Sequence, residues 1–190
     1  EYLLFVDADD FIHPDMLSIL FNGAQSVGAG IAACKNMRVR EEEGLDAASK
    51  DAEGAFKTFS CTGIEALGFA LLGTDISGSM CDKLISRELL GDVRFREGVL
   101  YEDALLASQL FPECDNVFVT TRCMYYYSKC PGSATMKPYD ESAYDVVRIY
   151  EEIFKRVSTD YPEIEPQAEF RLLWAYYAAF DRMIASSDYR

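Results

Sequence analysis

Residues 2–10 read Tyr2-Leu3-Leu4-Phe5-Val6-Asp7-Ala8-Asp9-Asp10. The stretch from Tyr2 to Val6 is a continuous apolar run without polar alternation, which predicts a central β-strand buried on both faces. This strand leads directly into a cluster of carboxylates. Because ligands of open α/β sheets bind beyond the carboxyl ends of the strands, the stretch predicts an α/β fold with a site at the end of its first strand.

The acidic cluster favours a bound cation. Asp7 and Asp9 alternate along an extended backbone, so both can point to one side, where like charges repel. Carboxylate oxygens suit Mg²⁺ or Mn²⁺, which keep open coordination positions for substrate phosphates. Two other interpretations stay open. One is a polar loop in which Asp10 or Asp15 only caps the next helix. The other is a Mg²⁺-dependent phosphohydrolase of the haloacid dehalogenase type, which expects a small Gly-Thr or Gly-Val pair where Asp10-Phe11 stands.

The rest of the chain alternates strands and helices. Pro14, followed by an apolar stripe, predicts a helix over about residues 16–27 that Gly28 ends. Thr62 and Glu65 have the spacing of a capping box, which predicts a helix that runs to about residue 72. The remaining predictions are a strand at 31–39, an exposed loop at 40–55, a strand at 56–61, a strand or turn with a short helix at 83–90, strands at 116–120 and 123–127, and amphipathic helices at 141–157 and 166–185.

Glu102 and Asp103 form a second candidate for chemistry. The spacing of residues 104–111 predicts a helix, and the pair then lies in its first turn, where free N–H groups and the helix dipole favour an ionised carboxylate. Such a carboxylate, facing a phosphate leaving group, can take a proton from a hydroxyl group. The alternative is that Glu102 and Asp103 are only the acidic residues that are common at the start of a helix. The pair indicates a catalytic site only together with Asp7 and Asp9.

Composition excludes several classes of protein. The chain has 190 residues, 49% of them hydrophobic, so it can build a sizeable core and is not a disordered chain. A net charge of −14 argues against nucleic acid and anionic lipid as partners. The 6 cysteines form no Cys-x-x-Cys pair and His13 is the only histidine, which predicts reduced thiols of a cytoplasmic protein and no zinc site. No apolar stretch approaches the ~20 residues that span a bilayer.

Four segments, in order, resemble family 2 glycosyltransferases with the GT-A fold. Residues 4–17 resemble the metal-binding segment of that family, an apolar strand followed by Asp-x-Asp-Asp, an aromatic residue and Pro-Asp. Residues 81–90 resemble its Lys-Leu-x-x-Arg-x-Leu segment, and residues 95–103 resemble the stretch that ends in the catalytic Glu-Asp pair. Residues 125–135 are similar to its Tyr-x-Tyr…Gly-Ser strand and loop.

The resemblance implies a metal-dependent, inverting glycosyltransferase that acts in polysaccharide or glycoconjugate synthesis. It would move a sugar from a nucleotide-sugar donor, a UDP-sugar first of all, to a hydroxyl group of a saccharide or lipid-linked acceptor. Asp7 and Asp9 would hold Mg²⁺ or Mn²⁺ against the diphosphate, with Asp10 as a neighbour or alternate ligand. Asp103 would be the general base, and Glu102 would orient it or the acceptor.

The resemblance also implies a domain layout. Residues 1–137 would be the C-terminal part of a GT-A domain, a Rossmann-related mixed sheet whose N-terminal nucleotide-binding half is missing. Residues 138–190 would be a helical extension. The chain opens on strand-like residues with no Met and no targeting pattern, which supports this expectation of a fragment. Such a fragment alone could be inactive, and a non-catalytic GT-A-like domain that serves for binding or assembly is the alternative.

Two features keep more than one interpretation. Lys83 and Lys129 either face phosphate or are ordinary surface lysines. The extension carries aromatic residues at helical spacing, such as Trp174 and Phe180, which is more typical of a packing face than of a sugar platform. We expect these helices to serve a homo-oligomer contact or the acceptor, in a bacterial protein that is cytoplasmic or peripheral at the inner face of the membrane.

Overall fold

A computed structural model describes residues 1–39, 55–128 and 141–185 of the chain. The predicted loop at 40–55 falls almost entirely outside the described residues, as do Lys129 and the Gly-Ser loop that follows it.

One mixed β-sheet forms the centre of the described structure. Its order is β1-β5-β3-β6-β2, with β4 also paired to β6. Strand β3 runs parallel to β6, and the other pairs are antiparallel. The strands are β1 (Tyr2–Leu4), β2 (Phe11–Ile12), β3 (Ile31–Val39), β4 (Thr58–Cys61), β5 (Lys83–Ser86) and β6 (Val117–Ser128).

Strand β6 replaces the two strands predicted at 116–120 and 123–127, so that prediction is wrong. The register against β3 passes from Ala33↔Val119 to Lys35↔Cys123, so β6 contains extra residues at this point. A β-bulge absorbs such residues without ending the strand. The bulge divides the opposite edge of β6 between β4, beside its first half, and β2, beside its second half.

Strand β1 lies at one end of the sheet in the described part of the chain, and not at its centre as the apolar run predicted. Among the described residues it pairs only with β5. Its side chains are half-buried. An apolar run therefore predicted the strand itself but not its place in the sheet.

The helices follow the predicted boundaries closely. They are α1 (Met16–Val27), α2 (Gly63–Leu72), α3 (Arg87–Leu90), α4 (Glu102–Leu110), α5 (Asp145–Asp160) and α6 (Glu165–Ala185), with 3-10 turns at Phe111–Glu113, Glu141–Tyr144 and Pro162–Ile164. Gly28 ends α1 in the left-handed conformation. The Thr62 hydroxyl accepts from the Glu65 N–H, and the Glu65 carboxylate accepts from the Thr62 N–H, so the predicted capping box is confirmed.

The sheet separates two hydrophobic clusters. Ile31 and Ala33 of β3 belong to the larger cluster, whereas Ala32 and Cys34, which point to the opposite face, belong to the smaller one. Helix α1 covers the smaller cluster, and α2, α4, α5 and α6 contribute to the larger one. The predicted α/β fold class, a mixed sheet between helices, is thus confirmed. No helix within the described ranges has the length and apolar character needed to cross a membrane.

Candidate functional site

A cavity of about 460 Å³ lies where the chain leaves β1 and where α4 begins. It brings Asp7 together with Glu102 and Asp103, which lie far from Asp7 in sequence. Its other walls come from the loop before β5, the residues just before α4, the end of β6 and α5. The described residues that line it are Asp7, Gly78, Ser79, Cys81, Leu100, Tyr101, Glu102, Asp103, Ala104, Tyr127 and Tyr150.

Asp7 and Asp9 lie in the tight turn that follows β1, and both are exposed. The turn is closed by the Asp10 N–H, which donates to the Asp7 carbonyl at 3.1 Å. Tyr125 holds it to β6, because the Asp7 N–H donates to the phenol oxygen at 3.2 Å. The Asp7 carboxylate has only a weak contact, from the Cys81 thiol at 3.6 Å, within the described chain. Its oxygens are therefore accessible to a ligand.

Asp10 is used differently, because both of its carboxylate oxygens accept hydrogen bonds from β6. The Tyr125 hydroxyl donates to Oδ2 at 2.6 Å, and the Ser128 N–H donates to Oδ1 at 2.9 Å. Burial and this hydrogen bond raise the pKa of Tyr125 far above its usual range, so the phenol stays a donor. Asp10 thus ties the acidic turn to β6.

Asp103 is held by the loop that precedes β5. Its Oδ2 accepts from the Met80 N–H at 3.0 Å and from the Ser79 hydroxyl at 3.2 Å. Burial raises the pKa of Asp103, while these two donors and the charge of Lys83 act in the opposite direction. The result is a carboxylate with one oxygen fixed and an elevated proton affinity, as a general base requires.

Glu102 lies beside Asp103 in the first turn of α4, as predicted. Burial is the main reason that its pKa is raised. The neighbouring charges of Asp103 and Asp7 raise the pKa further, and its own backbone N–H opposes the shift. The three carboxylates of the cavity therefore affect one another electrostatically.

Lys83 does not face the cavity. Its side chain is fully buried, and its ammonium donates to Asp82 at 2.6 Å and to the Ser77 carbonyl at 2.9 Å. Asp82, also fully buried, accepts in turn from the Ser77 hydroxyl at 2.6 Å and from the Asn36 amide at 2.6 Å. The structure thus places Lys83 beneath the loop that holds Asp103, rather than among the groups open to phosphate.

A second cavity, of about 230 Å³, adjoins the first and shares Ser79 and Tyr127 with it. Its lining also includes Asn36, Tyr125 and the exposed cation Arg38. Burial is the main reason that the pKa of Tyr127 is raised, and the charges of the acidic turn add to the shift while Arg38 opposes it. Arg38 therefore lies close enough to act on groups beside that turn.

A larger cavity, of about 650 Å³, lies elsewhere, beside β1 and α3. Its carboxylate, Asp92, is paired with Arg94, and apolar residues make up most of its walls. Volume alone does not make this cavity a site, because it lacks the convergence of carboxylates found at the smaller one.

Several residues of the site gave no signal in the sequence. Ser79 and Met80 bind Asp103 through a loop whose path depends on tertiary packing. Tyr101 adopts a left-handed conformation, with φ of 67°, directly before Glu102. Cys81, whose pKa burial raises to about 12, contacts Asp7 only because β1 and β5 are paired. A left-handed backbone conformation can be predicted from the sequence at a glycine but not at a tyrosine.

The acidic turn has the chemistry of a partial metal site. Asp7 and Asp9 offer exposed carboxylate oxygens, which suit Mg²⁺ or Mn²⁺. Within residues 1–39, 55–128 and 141–185, no group of three or more His, Cys, Asp or Glu side chains is placed to enclose an ion. The two carboxylates therefore fit an ion whose remaining ligands are water and substrate oxygens, but not an ion enclosed by protein.

Solved structures resemble this chain, although no protein-family model and no curated protein matches it. Against S. aureus TarS 1-349 in complex with UDP-GlcNAc, the identity is 18% and the TM-score 0.63, over 95% of this chain and 49% of that chain. S. aureus TarS 1-349 gives 18% identity and a TM-score of 0.57, over 98% of this chain and 48% of that one. The structure of S. aureus TarS gives 19% identity and a TM-score of 0.58, over 99% of this chain and 29% of that chain.

The described chain therefore has a glycosyltransferase-like fold. It spans about half the length of the TarS 1-349 structures.

Proposed function

We propose that the chain is the part of a nucleotide-sugar-dependent glycosyltransferase that carries the metal-binding and general-base carboxylates. The donor is a nucleotide-sugar, most simply a UDP-sugar, and the acceptor is a hydroxyl group. A single observation supports this most strongly: Asp7, at the end of β1, and Glu102 and Asp103, at the start of α4, line one cavity of about 460 Å³.

Asp103 acts as the general base in an inverting transfer. The acceptor oxygen forms a bond to the anomeric carbon of the donor sugar while the bond from that carbon to the diphosphate oxygen breaks. The proton of the acceptor hydroxyl passes to Asp103, and the nucleoside diphosphate leaves with the electron pair. The elevated pKa of Asp103 favours this proton transfer, and the Met80 N–H and Ser79 hydroxyl orient the carboxylate.

Asp7 and Asp9 are the residues that would hold Mg²⁺ or Mn²⁺. A divalent ion at this turn would offset the charge of the diphosphate and of the leaving group. Asp10 supports these two residues by fixing the turn to Tyr125 and Ser128 of β6.

The TarS structures favour the same donor class. One of them is TarS 1-349 in complex with UDP-GlcNAc, and its fold covers 95% of this chain. A UDP-sugar is therefore the first donor to test. This chain spans about half of the TarS 1-349 chain, so the proposal takes only the donor class from that structure.

Titration of UDP in the presence of Mn²⁺ tests the donor side. Calorimetry on the full-length protein should show binding that falls at least ~10-fold in Asp9→Ala, because a cation ligand is lost. Asp92→Ala is a matched control, since Asp92 is an exposed carboxylate that lines a different cavity. Equal affinity of the wild type and Asp9→Ala for UDP–Mn²⁺ would refute the assignment.

Replacement of the base tests the chemistry. Asp103→Asn should retain UDP–Mn²⁺ binding and lose sugar transfer, measured as UDP released in the presence of an acceptor mixture. Retained turnover would remove Asp103 as the base. Phosphate release from p-nitrophenyl phosphate, combined with no UDP binding, would instead indicate a phosphohydrolase.

A further inference from the structure

We propose that the acceptor side of the 460 Å³ cavity is a subsite for a neutral sugar ring, which stacks on Tyr101 and donates hydroxyl hydrogen bonds to Glu102 and Asp103. The inference rests on the proposed function, because it takes Asp103 as the group that receives the acceptor hydroxyl. It adds the chemical class of the acceptor and the surface that recognises it.

The first support is an aromatic wall beside the carboxylates. Tyr101, Tyr127 and Tyr150 line the cavity, and Tyr101 is half-buried, so part of its ring is accessible. Tyr101 and Tyr150 are backed by the Trp174 ring, whose centroid lies 6.4 Å from the first and 6.1 Å from the second in edge-on geometry. Aromatic faces with a few convergent polar groups suit a sugar ring, which presents C–H groups on its faces and hydroxyls at its rim.

The wall is held in place from behind. The Arg171 guanidinium lies 4.9 Å from the centroid of the Trp174 ring, and Arg171 also donates to the Leu71 and Ala70 carbonyls at the end of α2. Helix α6 is thereby fixed to α2 at the level of the cavity. A platform held in this way loses little conformational freedom when a ligand stacks on it.

The second support is the charge of the cavity. Its lining contains three carboxylates, and among the residues that the structure describes it contains no Lys or Arg. The Lys83 ammonium lies under the loop and is already paired with Asp82. Asp7 is the residue proposed to hold the cation and, through it, the donor diphosphate. An anionic acceptor placed beside Glu102 and Asp103 would be repelled, whereas neutral hydroxyls can donate to them.

The adjoining 230 Å³ cavity has the opposite character. Its described lining contains the exposed Arg38 guanidinium and Asn36, whose amide also donates to Asp82, and it contains no carboxylate. Cationic and neutral donors favour a phosphate group. The two cavities thus divide one groove into a side suited to the donor diphosphate and a side suited to a neutral acceptor ring.

Tyr101 links the wall to the chemistry. It precedes Glu102 at the start of α4, and it is the one non-glycine residue of the described chain with a positive φ. Its carbonyl accepts from the Ala104 N–H at 3.1 Å, so the first turn of α4 fixes the backbone that carries the ring. This conformation also dictates the test variant, because asparagine tolerates the left-handed region and removes the ring without adding backbone strain.

The chain supplies its own reporter. Trp174 is the only tryptophan, and it contacts two rings of the cavity wall. Full-length protein saturated with UDP and Mn²⁺ is titrated with methyl β-glucoside, methyl β-galactoside, methyl α-mannoside and methyl β-glucuronide, and Trp174 emission and saturation-transfer NMR are recorded. We expect at least one neutral glycoside to bind in the millimolar range and the glucuronide to bind at least ~10-fold more weakly.

Variants locate the binding. Tyr101→Asn should weaken the neutral glycoside at least ~10-fold, and Tyr101→Phe should change it less than ~3-fold, because the ring is kept. Tyr177→Asn is the matched control, since Tyr177 is 70% exposed on α6 and does not line the cavity. It should bind like the wild type.

Three results would overturn the proposal: no binding of any neutral glycoside by either method, glucuronide binding as tight as glucoside binding, or unchanged affinity in Tyr101→Asn. The UDP–Mn²⁺ titration of the same samples separates the two proposals. Loss of UDP binding with glycoside binding retained contradicts the proposed function, and the reverse pattern contradicts only the acceptor subsite.

Discussion

Asp9 and Asp10 are neighbours in sequence with opposite surroundings. Asp9 is exposed, whereas Asp10 accepts from the Tyr125 hydroxyl and the Ser128 N–H. Asp10→Ala should lower the free energy of unfolding by about 2–3 kcal/mol, because it leaves two donors without their acceptor. Asp9→Ala should change the same free energy by less than about 0.5 kcal/mol.

Urea unfolding of the two variants measures this difference. The two alanine substitutions remove the same side chain one residue apart, so each serves as the control for the other. Equal destabilisation would contradict the structural role of Asp10, and it would also weaken the assignment of Asp9 as the residue left free for a cation.

Under the proposed function, the pH profile of sugar transfer reports on Asp103. Its pKa is raised, mainly by burial, so the carboxyl stays protonated to a higher pH than an ordinary aspartate, whose pKa is about 3.9. A protonated base cannot accept the acceptor proton, so kcat/KM should fall as the pH falls through this raised value. The acid limb should therefore have a midpoint above the ordinary aspartate range.

Glu102→Gln distinguishes the two carboxyls, because Glu102 also has a raised pKa. If the acid limb persists in this variant, it belongs to Asp103. A profile that is flat down to the ordinary aspartate range would contradict the environment described for the base.

Residue types and spacing predicted the carboxylates of the site, but not their supports. Asp7, Glu102 and Asp103 could be found because strand ends and helix starts have local signatures. The position of the Lys83 side chain could not be predicted, because its ion pair with Asp82 forms only when β5 is buried. The backbone conformation of Tyr101 could not be predicted either, since no local rule predicts a positive φ at a tyrosine.

At the scale of elements, the loop before β5 depends on the buried pair Asp82–Lys83. The Lys83 ammonium holds the Ser77 carbonyl, and Ser79 of the same loop binds Asp103. Lys83→Met should lower the free energy of unfolding by about 3–5 kcal/mol, because it leaves a buried, unpaired Asp82. The double variant Asp82→Asn/Lys83→Met should recover part of this loss.

Urea denaturation of the two single variants and the double variant forms the cycle that measures this coupling. The pH profile adds a readout that stability alone does not move. The positive charge of Lys83 lowers the pKa of Asp103. Its removal in the double variant should therefore shift the acid limb of kcat/KM to higher pH. Strictly additive destabilisation, or an unmoved acid limb, would contradict this role of Lys83.

Helix α2 begins at a point of close approach. A Cβ added at Gly63 would lie 1.7 Å from the Phe111 carbonyl oxygen, whereas one added at Gly68 would lie 3.4 Å from a methyl group of Ile164. Gly63→Ala should therefore cost about 3 kcal/mol or more. Gly68→Ala, the control in the same helix, should be neutral or stabilising by up to about 1 kcal/mol. Thermal unfolding measures both, and similar melting temperatures would contradict the packing at Gly63.

Local signals predicted α2 and its cap, but not the continuity of β6. The capping box needs only Thr62 and Glu65, which both lie at the start of α2. Strand β6 continues through its bulge because β3 and β4 pair with it on both edges. Pairing partners distant in sequence decide such cases, and a window over residues 116–127 does not contain them.

At the scale of the whole molecule, the C-terminal helices and the sheet share one core. Ile153 of α5 and Ala175 of α6 belong to the same buried cluster as Ala33 and Val119 of the sheet. A domain with one continuous core unfolds as one cooperative unit. The described residues of the predicted extension, 141–185, should therefore unfold together with the described strands and helices of residues 1–39 and 55–128.

Two probes test this in a single urea titration. Trp174, the only tryptophan, reports on α6, and hydrogen exchange of peptides from β3 and β6 reports on the sheet. Coincident midpoints are expected, because opening α6 would expose Ala175 and Ala179 and the apolar face beneath them. Ala175→Asp, which places a charge in that shared core, should lower both midpoints equally. If α6 instead melts at lower urea while the strands stay protected, the helices form a separate unit. The contact of Trp174 with Tyr101 and Tyr150 would then be lost before the strands that position Asp7 unfold.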